Sequence, residues 1–356
     1  MLANCRYRAI RLCAKDTPAR EKCTKDSAAL QGAVAKGQRV PTLTAIAIGV
    51  TMLRFLVPVL AALLLLPVDA QATERERLGY GRLISNDSIG EFRDRERTGS
   101  YVSSRVWGPQ WTGRLPDRFG QLIELRLGVE VFSPANLRRP QAGSRPWAGA
   151  LSVGMHTHFE RDAVEYSVGA AIYATGPQTH LDDLQRGIHD IIDATSPSDR
   201  VLDNQIENGF HPTVLVEIGR SFPLGARTSL RPFVEGQAGI ETFVRAGFDL
   251  TFGDITRGEM LVRDSTTGQR YRVVQNRDAS GFGFVVGADM ARVSDSVFLP
   301  SDRGYDLTPR RDRVRAGVHW QGKRASAFYG LTWLGKEYET QPDHQLVGSV
   351  RIKIDF

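Results

Sequence analysis

The sequence predicts an all-β chain closed into a transmembrane antiparallel barrel of about twelve strands, with one α-helix on the extracellular side between strands five and six. Three observations carry this reading. A short export signal ends near residue 72, apolar and polar residues alternate through most of the chain from Leu78 onward, and one interval after Gly176 shifts to helical spacing.

Whole-chain totals point elsewhere until they are divided by position. The 356 residues hold 46 Lys and Arg, 40 Asp and Glu and three cysteines. Residues 1–72 contain ten basic and four acidic residues, which is the entire surplus of +6, together with Cys5, Cys13 and Cys23. The remainder carries 36 residues of each sign and no cysteine. A nucleic-acid footprint needs its basic patch on the folded domain, so DNA and RNA are set aside. Met52-Leu53-Arg54 is a short positive n-region, Phe55 to Leu66 an apolar run too short to span a bilayer, and Ala70-Gln71-Ala72 a small-residue cleavage site. Residues 52–72 are therefore expected to be a signal peptide. Residues 1–51, polar and aperiodic, are expected to be a mis-assigned start or a disordered extension, which leaves 73–356 as the barrel domain. Without disulfides, an exported β-protein depends on burial or on closure of its sheet.

The strands follow in order. Ile123, Leu125, Leu127, Val129 and Val131 interleave with Glu124, Arg126, Gly128 and Glu130, and the pattern recurs around Val164–Ile172, Phe282–Met290, Arg313–Trp320, Ala325–Trp333 and Ser349–Phe356. The periodicity predicts strands at about 79–88, 98–109, 119–133, 147–159, 163–174, 205–222, 227–240, 243–252, 280–292, 311–321, 325–335 and 346–356, an even number. A soluble sandwich and a membrane barrel share this alternation. Polar faces rich in Arg, Glu, Asp and Gly suit a narrow, wet lumen packed with ion pairs, and all five tryptophans lie in or beside strands, as interface girdles do. A final alternating strand ending in Phe356 resembles the C-terminal signal of outer-membrane barrels. Such a barrel is expected to be inserted by the barrel-assembly machinery and to be a monomer.

Between strands five and six, Gly176-Pro177-Gln178 breaks the pattern. Thr179-His180-Leu181-Asp182 fits a capping box, and Leu181, Leu184, Ile188 and Ile191 follow at helical spacing, predicting an amphipathic helix at lipid level on the cell exterior. Gln185 and His189 share one face of it. At the end of strand one, Asn86 and Asp87 meet Thr98 at the start of strand two, a set of hard oxygen ligands suited to Ca²⁺. A histidine base, a hard cation and an outer-leaflet position are the components of an interfacial esterase. His156-Thr157-His158 lacks a third metal ligand at sensible spacing and reads as polarity at a loop end. No Gly-x-Ser-x-Gly elbow is present.

These residues carry a resemblance. Asn86-Asp87, Asp94-Arg-x-x-Thr98-Gly99, Val131-Phe132-Ser133-Pro134, Arg145-Pro146-Trp147-Ala148-Gly149, Gly176-Pro177 with Gln185-x-x-x-His189, and Asp203 to Asn208 stand in the order seen in the outer-membrane lipid A 3-O-deacylase family. The resemblance covers essentially all of 79–356. It implies a Gram-negative outer-membrane hydrolase that, with calcium, removes the 3-O-linked acyl chain from the lipid A of lipopolysaccharide. By motif, Asn86 and Asp87 would hold or orient the calcium site, Thr98 would join it, Gln185 would position substrate or water, and His189 would be the general base. The acidic residue that the family places shortly after the helix histidine has no single counterpart, with Asp190, Asp193 and Glu207 as alternatives. Gly209-Phe210-His211-Pro212 also departs from the family pattern. The competing functions are a barrel phospholipase, which would keep most of this site, and a non-catalytic pore or structural barrel.

Overall fold

Alternation fixes which face of each strand meets which surroundings, and the computed structural model shows the sorting directly. It describes residues 75–253, 257–275 and 280–354, all within the unit Ala70–Phe356. The expected extension 1–51, the signal peptide 52–72 and Phe356 lie outside the described residues.

Fifteen strands occur among them: β1 Glu76–Asn86, β2 Glu96–Gly108, β3 Ile123–Ser133, β4 Ala148–Arg161, β5 Val164–Thr175, β6 Gly209–Gly219, β7 Phe222–Gly225, β8 Thr228–Ala238, β9 Glu241–Phe252, β10 Met260–Arg263, β11 Arg270–Val274, β12 Gly281–Ser296, β13 Arg311–Gln321, β14 Ala325–Leu334 and β15 Gln345–Ile354. Each neighbour in the wall is antiparallel. The order runs from β6 back to β1, on to β15, and down to β8, and the β6–β8 pairing closes the ring at twelve wall strands, with β7 continuing β6 beyond a break. The twelve predicted strands are all present. Closure leaves no strand edge for aggregation, which is how a cysteine-free sheet of this size avoids that hazard.

Along β13, Arg311, Arg313, Arg315, His319 and Gln321 are buried, while Val314 and Trp320 are exposed. Along β12, Val285 and Asp289 are buried, while Phe284, Val286 and Met290 are exposed. The charges point into the barrel and the large apolar groups point out, the reverse of a soluble sandwich. In water each exposed side chain would forgo about 1.5–3 kcal/mol of burial, which a lipid surround returns. Inside, carboxylates and guanidiniums pair: Arg263 with Glu217 at 2.7 Å and Asp249 at 2.9 Å, Arg245 with Glu235 at 3.0 Å, and Arg97 with Glu337 at 2.6 Å.

The lumen holds more than the ion-paired polar faces that the sequence suggested. The connection between β9 and β12 returns into it as the β10–β11 hairpin. Met260, Val262, Tyr271, Val273 and Val274 of the hairpin form an apolar cluster with Leu83, Val102, Val106, Val285 and Phe328 of the wall. A Cβ at Gly79 or Gly81 of β1 would collide with the carbonyls of Val273 and Arg272, so those glycines make room for the hairpin. At its tip, Arg313 donates to the Ser265 carbonyl at 2.8 Å, and Ser265 donates to Glu130 at 3.2 Å. Its strands are only four and five residues long, so period-two reading did not register them.

Two smaller expectations also change. His156 and His158 face the lumen instead of marking a loop end: His158 Nε2 meets Glu124 at 2.7 Å, Ser104 donates to the same carboxylate at 2.5 Å, and Ser104 and Tyr271 share a hydrogen bond at 2.7 Å. The tryptophans do not all belong to a girdle, because Trp147 is completely buried and Trp111 Nε1 donates to the Gly258 carbonyl at the base of the hairpin.

Candidate active site

At the end of the barrel that the strand count assigns to the cell exterior, the connection between β5 and β6 forms a single turn Pro177–Thr179, helix α1 Leu181–Ile192 and helix α2 Asp199–Leu202. The predicted capping box does not form. His180 takes the N-cap in a left-handed conformation (φ 52°) without a side-chain cap, and Thr179 instead donates to the Gly176 carbonyl at 2.8 Å. Asp182 and Asp183 still place negative charge in the first turn, where the helix dipole favours it.

The orientation of α1 decides its use. Leu181, Gln185 and His189 are buried against the barrel, while Leu184, Ile188, Ile191 and Ile192 are exposed. An amphipathic helix in water hides its apolar stripe; this one hides its polar face and presents the stripe outward, as a helix against lipid does. Leu181 belongs to the buried face, packed with Trp147, Val201 and Leu202. The approach is close: a Cβ at Gly149 of β4 would lie 2.9 Å from Leu181 Cβ and 3.0 Å from Trp147.

His189 is held at both nitrogens. After Asp193 turns left-handed (φ 55°), the chain doubles back, and the Thr195 carbonyl accepts from His189 Nδ1 at 2.8 Å. A carbonyl can only accept, so one proton sits on Nδ1, and Nε2 is the nitrogen at which a second proton is taken up or given away. Nε2 lies 3.1 Å from Asp94 Oδ2. Asp94 in turn receives a short hydrogen bond from Thr98 Oγ1, which also lies 3.2 Å from Asp87 Oδ1. Thr98 reaches this position because it is the extra residue of a β-bulge between Arg97 and Gly99, opposite Phe132 and Val131 of β3. Asn86 is engaged locally: its Oδ1 accepts the Ser88 backbone N–H at 2.7 Å and so shapes the turn that carries Asp87.

His189 and the Asp87–Thr98 pair, nominated from different parts of the sequence, are thus joined through Asp94, which was not nominated. Asp190, Asp193 and Glu207, the alternatives for an acidic partner, are all exposed, and the acid at His189 is Asp94. It opens the Asp-x-x-x-Thr motif, a signal that was present but gave no indication of facing a helix from a later loop. Gln185 lies one turn before His189, and its Oε1 accepts from Trp147 Nε1 at 2.7 Å. Trp147 was likewise visible only as part of a motif.

The oxygen set fits a hard cation. Asp87 is completely buried. Burial, reinforced by the neighbouring Asp94, pushes its carboxyl up to about 8 despite hydrogen bonds from the Arg95 N–H and Thr98. The single Thr98 proton faces two carboxylate oxygens, so the cluster is relieved either by a proton on Asp87 or by a cation among the oxygens. Among the described residues no three His, Cys, Asp or Glu side chains converge as a metal cluster. A calcium ion here would take Asp87, Asp94 and the Thr98 hydroxyl, and draw further oxygens from water or substrate.

A family model described as Outer membrane protein LpxR matches residues 56–356. Among solved structures the chain is similar to LpxR from Salmonella typhimurium, at 17% identity and a TM-score of 0.65, over 78% of this chain and 100% of that one. The beta domain of the Bordetella autotransporter BrkA (10% identity, TM-score 0.38, over 79% of this chain and 99% of that one) is a more distant barrel. KdgM porin in complex with disordered oligogalacturonate (4% identity, TM-score 0.35, 78% and 98%) is another. No curated protein sequence matches the chain.

Proposed function

The chain belongs to the LpxR family of outer membrane proteins, and from that premise we propose that it is a lipid A 3-O-deacylase, an esterase that releases the 3-linked acyl chain of lipopolysaccharide in the outer leaflet. The observation that carries the reading is the continuous chain His189–Asp94–Thr98–Asp87 beneath a helix whose apolar face is turned to lipid.

His189 Nε2 takes a proton from water, whose oxygen bonds to the ester carbonyl carbon. The carbon–oxygen bond to the sugar then breaks, and the proton passes from Nε2 to the departing sugar oxygen, leaving a fatty acid and a free hydroxyl. Throughout, the Thr195 carbonyl keeps the Nδ1 proton in place, so the imidazole works in one tautomer. Asp87, Asp94 and Thr98 would hold calcium, which would supply the positive charge that offsets the negative charge growing on the carbonyl oxygen. Asn86 holds the Asp87 turn.

Mass spectra of lipid A from a host expressing the protein are expected to show loss of the 3-linked chain. The change should vanish with His189→Ala, which should remain folded and heat-modifiable on a gel. Unchanged lipid A with the wild type would sink the reading, and equal hydrolysis of glycerophospholipid would move the substrate class.

A further inference from the structure

Gln185 is joined to the barrel by one hydrogen bond, and its direction is fixed by chemistry. An indole N–H donates and has no lone pair to accept with, so the Gln185 atom 2.7 Å from Trp147 Nε1 is the oxygen. The amide cannot flip without setting two N–H donors against a third. Trp147 itself cannot yield, being completely buried and packed with Leu181, Val201 and Leu202. Among the described residues nothing accepts from the Gln185 amide nitrogen. The amide therefore has its oxygen committed to the barrel and both N–H groups unengaged, one helical turn from His189 on the same buried face.

We infer that Trp147 is a positioning residue that locks the Gln185 amide with its N–H groups toward the reacting ester, so that Gln185 serves as a hydrogen-bond donor to the carbonyl oxygen and not as an oxygen ligand of the cation. The inference rests on the deacylase reading and specifies one half of its electrostatics. A fixed donor gains strength as the carbonyl oxygen becomes an oxyanion, whereas a freely rotating amide would spend part of its time presenting a repelling oxygen. A locked donor raises turnover without tightening substrate binding.

The test compares Trp147→Phe, Gln185→Ala, Gln185→Glu and the Trp147→Phe/Gln185→Ala pair with wild type, on micellar lipid A at saturating calcium. Trp147→Phe keeps an aromatic ring in the pocket, though a smaller one, and removes the donor. It should lower kcat about 10- to 100-fold with KM unchanged, and should cost nothing further in the Gln185→Ala background. Gln185→Glu, which has no N–H to offer, should lose as much activity as Gln185→Ala. Calcium affinity, read by titration calorimetry without substrate, should be the same for Gln185→Ala and wild type. Full kcat in Trp147→Phe, an equal loss in the Gln185→Ala background, or weakened calcium binding in Gln185→Ala would each overturn the inference. A readout independent of turnover covers a poorly folding variant. With ¹⁵N-labelled tryptophan, the indole resonance absent from Trp147→Phe, or assigned by Trp147→Tyr, should move in Gln185→Met and stay in His189→Ala. No movement overturns the lock. An inactive wild type refutes the deacylase reading itself, an outcome distinct from an active enzyme indifferent to Trp147.

Discussion

The least conspicuous residue of the site is Asp94, which touches His189 Nε2 and the Thr98 hydroxyl at once. In the proposed reaction it couples the base to the residues that would hold calcium, so its removal should affect both. Asp94→Asn is expected to weaken calcium binding by about tenfold, by terbium luminescence, and to depress hydrolysis even at saturating calcium. Unchanged metal affinity would show that Asp94 serves only the histidine. The residue types were legible in the sequence: a His and a Gln four apart, and Asn, Asp and Thr on adjacent strand ends. What joins them was not, because Asp94 meets His189 across 95 residues of chain and Trp147 meets Gln185 across 38. Contacts of that kind depend on where a bulge and a helix are docked, and no local periodicity encodes docking.

At the level of elements, the twelve wall strands were readable because each sits between two unlike surroundings, lipid and lumen, and period two records that difference residue by residue. Helix α1 was readable by the same logic at its own period, although its cap was not. The Thr179 hydroxyl preferred the Gly176 carbonyl, and His180 turned left-handed in its place. The outward stripe makes a prediction. Ile188→Asp with Ile191→Asp should leave the barrel heat-modifiable and calcium binding intact, yet cut hydrolysis in membranes at least tenfold, since a charged face no longer seats against acyl chains. Equal activity in membranes would mean the stripe is incidental. Gly149→Val should be more damaging than its exposure suggests, because the added side chain lands on Leu181 and Trp147 and displaces α1 as a whole.

For the whole molecule, the interior holds the ring together from within. Near the outer end, Arg97, Arg145 and Arg311 converge on Glu337 at 2.6, 3.1 and 3.6 Å. Burial works against its ionisation, but Arg97, Arg311 and Arg145 outweigh it and hold the carboxyl well below the usual carboxylate range. A group depressed in this way stabilises the folded form above its ordinary value of 4.5, and that contribution is lost as the pH falls through the folded value. Wild type should therefore resist thermal unfolding better than Glu337→Gln at pH 7, and the gap should start to close below about pH 4.5 and vanish only near pH 2; a constant gap would assign the effect to packing. The β10–β11 hairpin bears on the remaining alternative, a pore. Reconstituted wild type is expected to show no steady conductance in planar bilayers, and deletion of residues 257–275 should open one. The sequence left this hairpin unread because its strands are only four and five residues long, too short for a period to stand out from the loop around them.

That filled interior has a kinetic consequence. With the β10–β11 hairpin seated among the wall strands and the site under a helix whose apolar stripe faces outward, a substrate of the proposed kind arrives sideways, along the plane of the leaflet, and the encounter is two-dimensional. The relevant concentration is then a surface density. Diluting lipid A with inert detergent inside the same micelles, at constant amount per volume, should slow the reaction in proportion to its mole fraction, whereas diluting the micelles with buffer should barely change it.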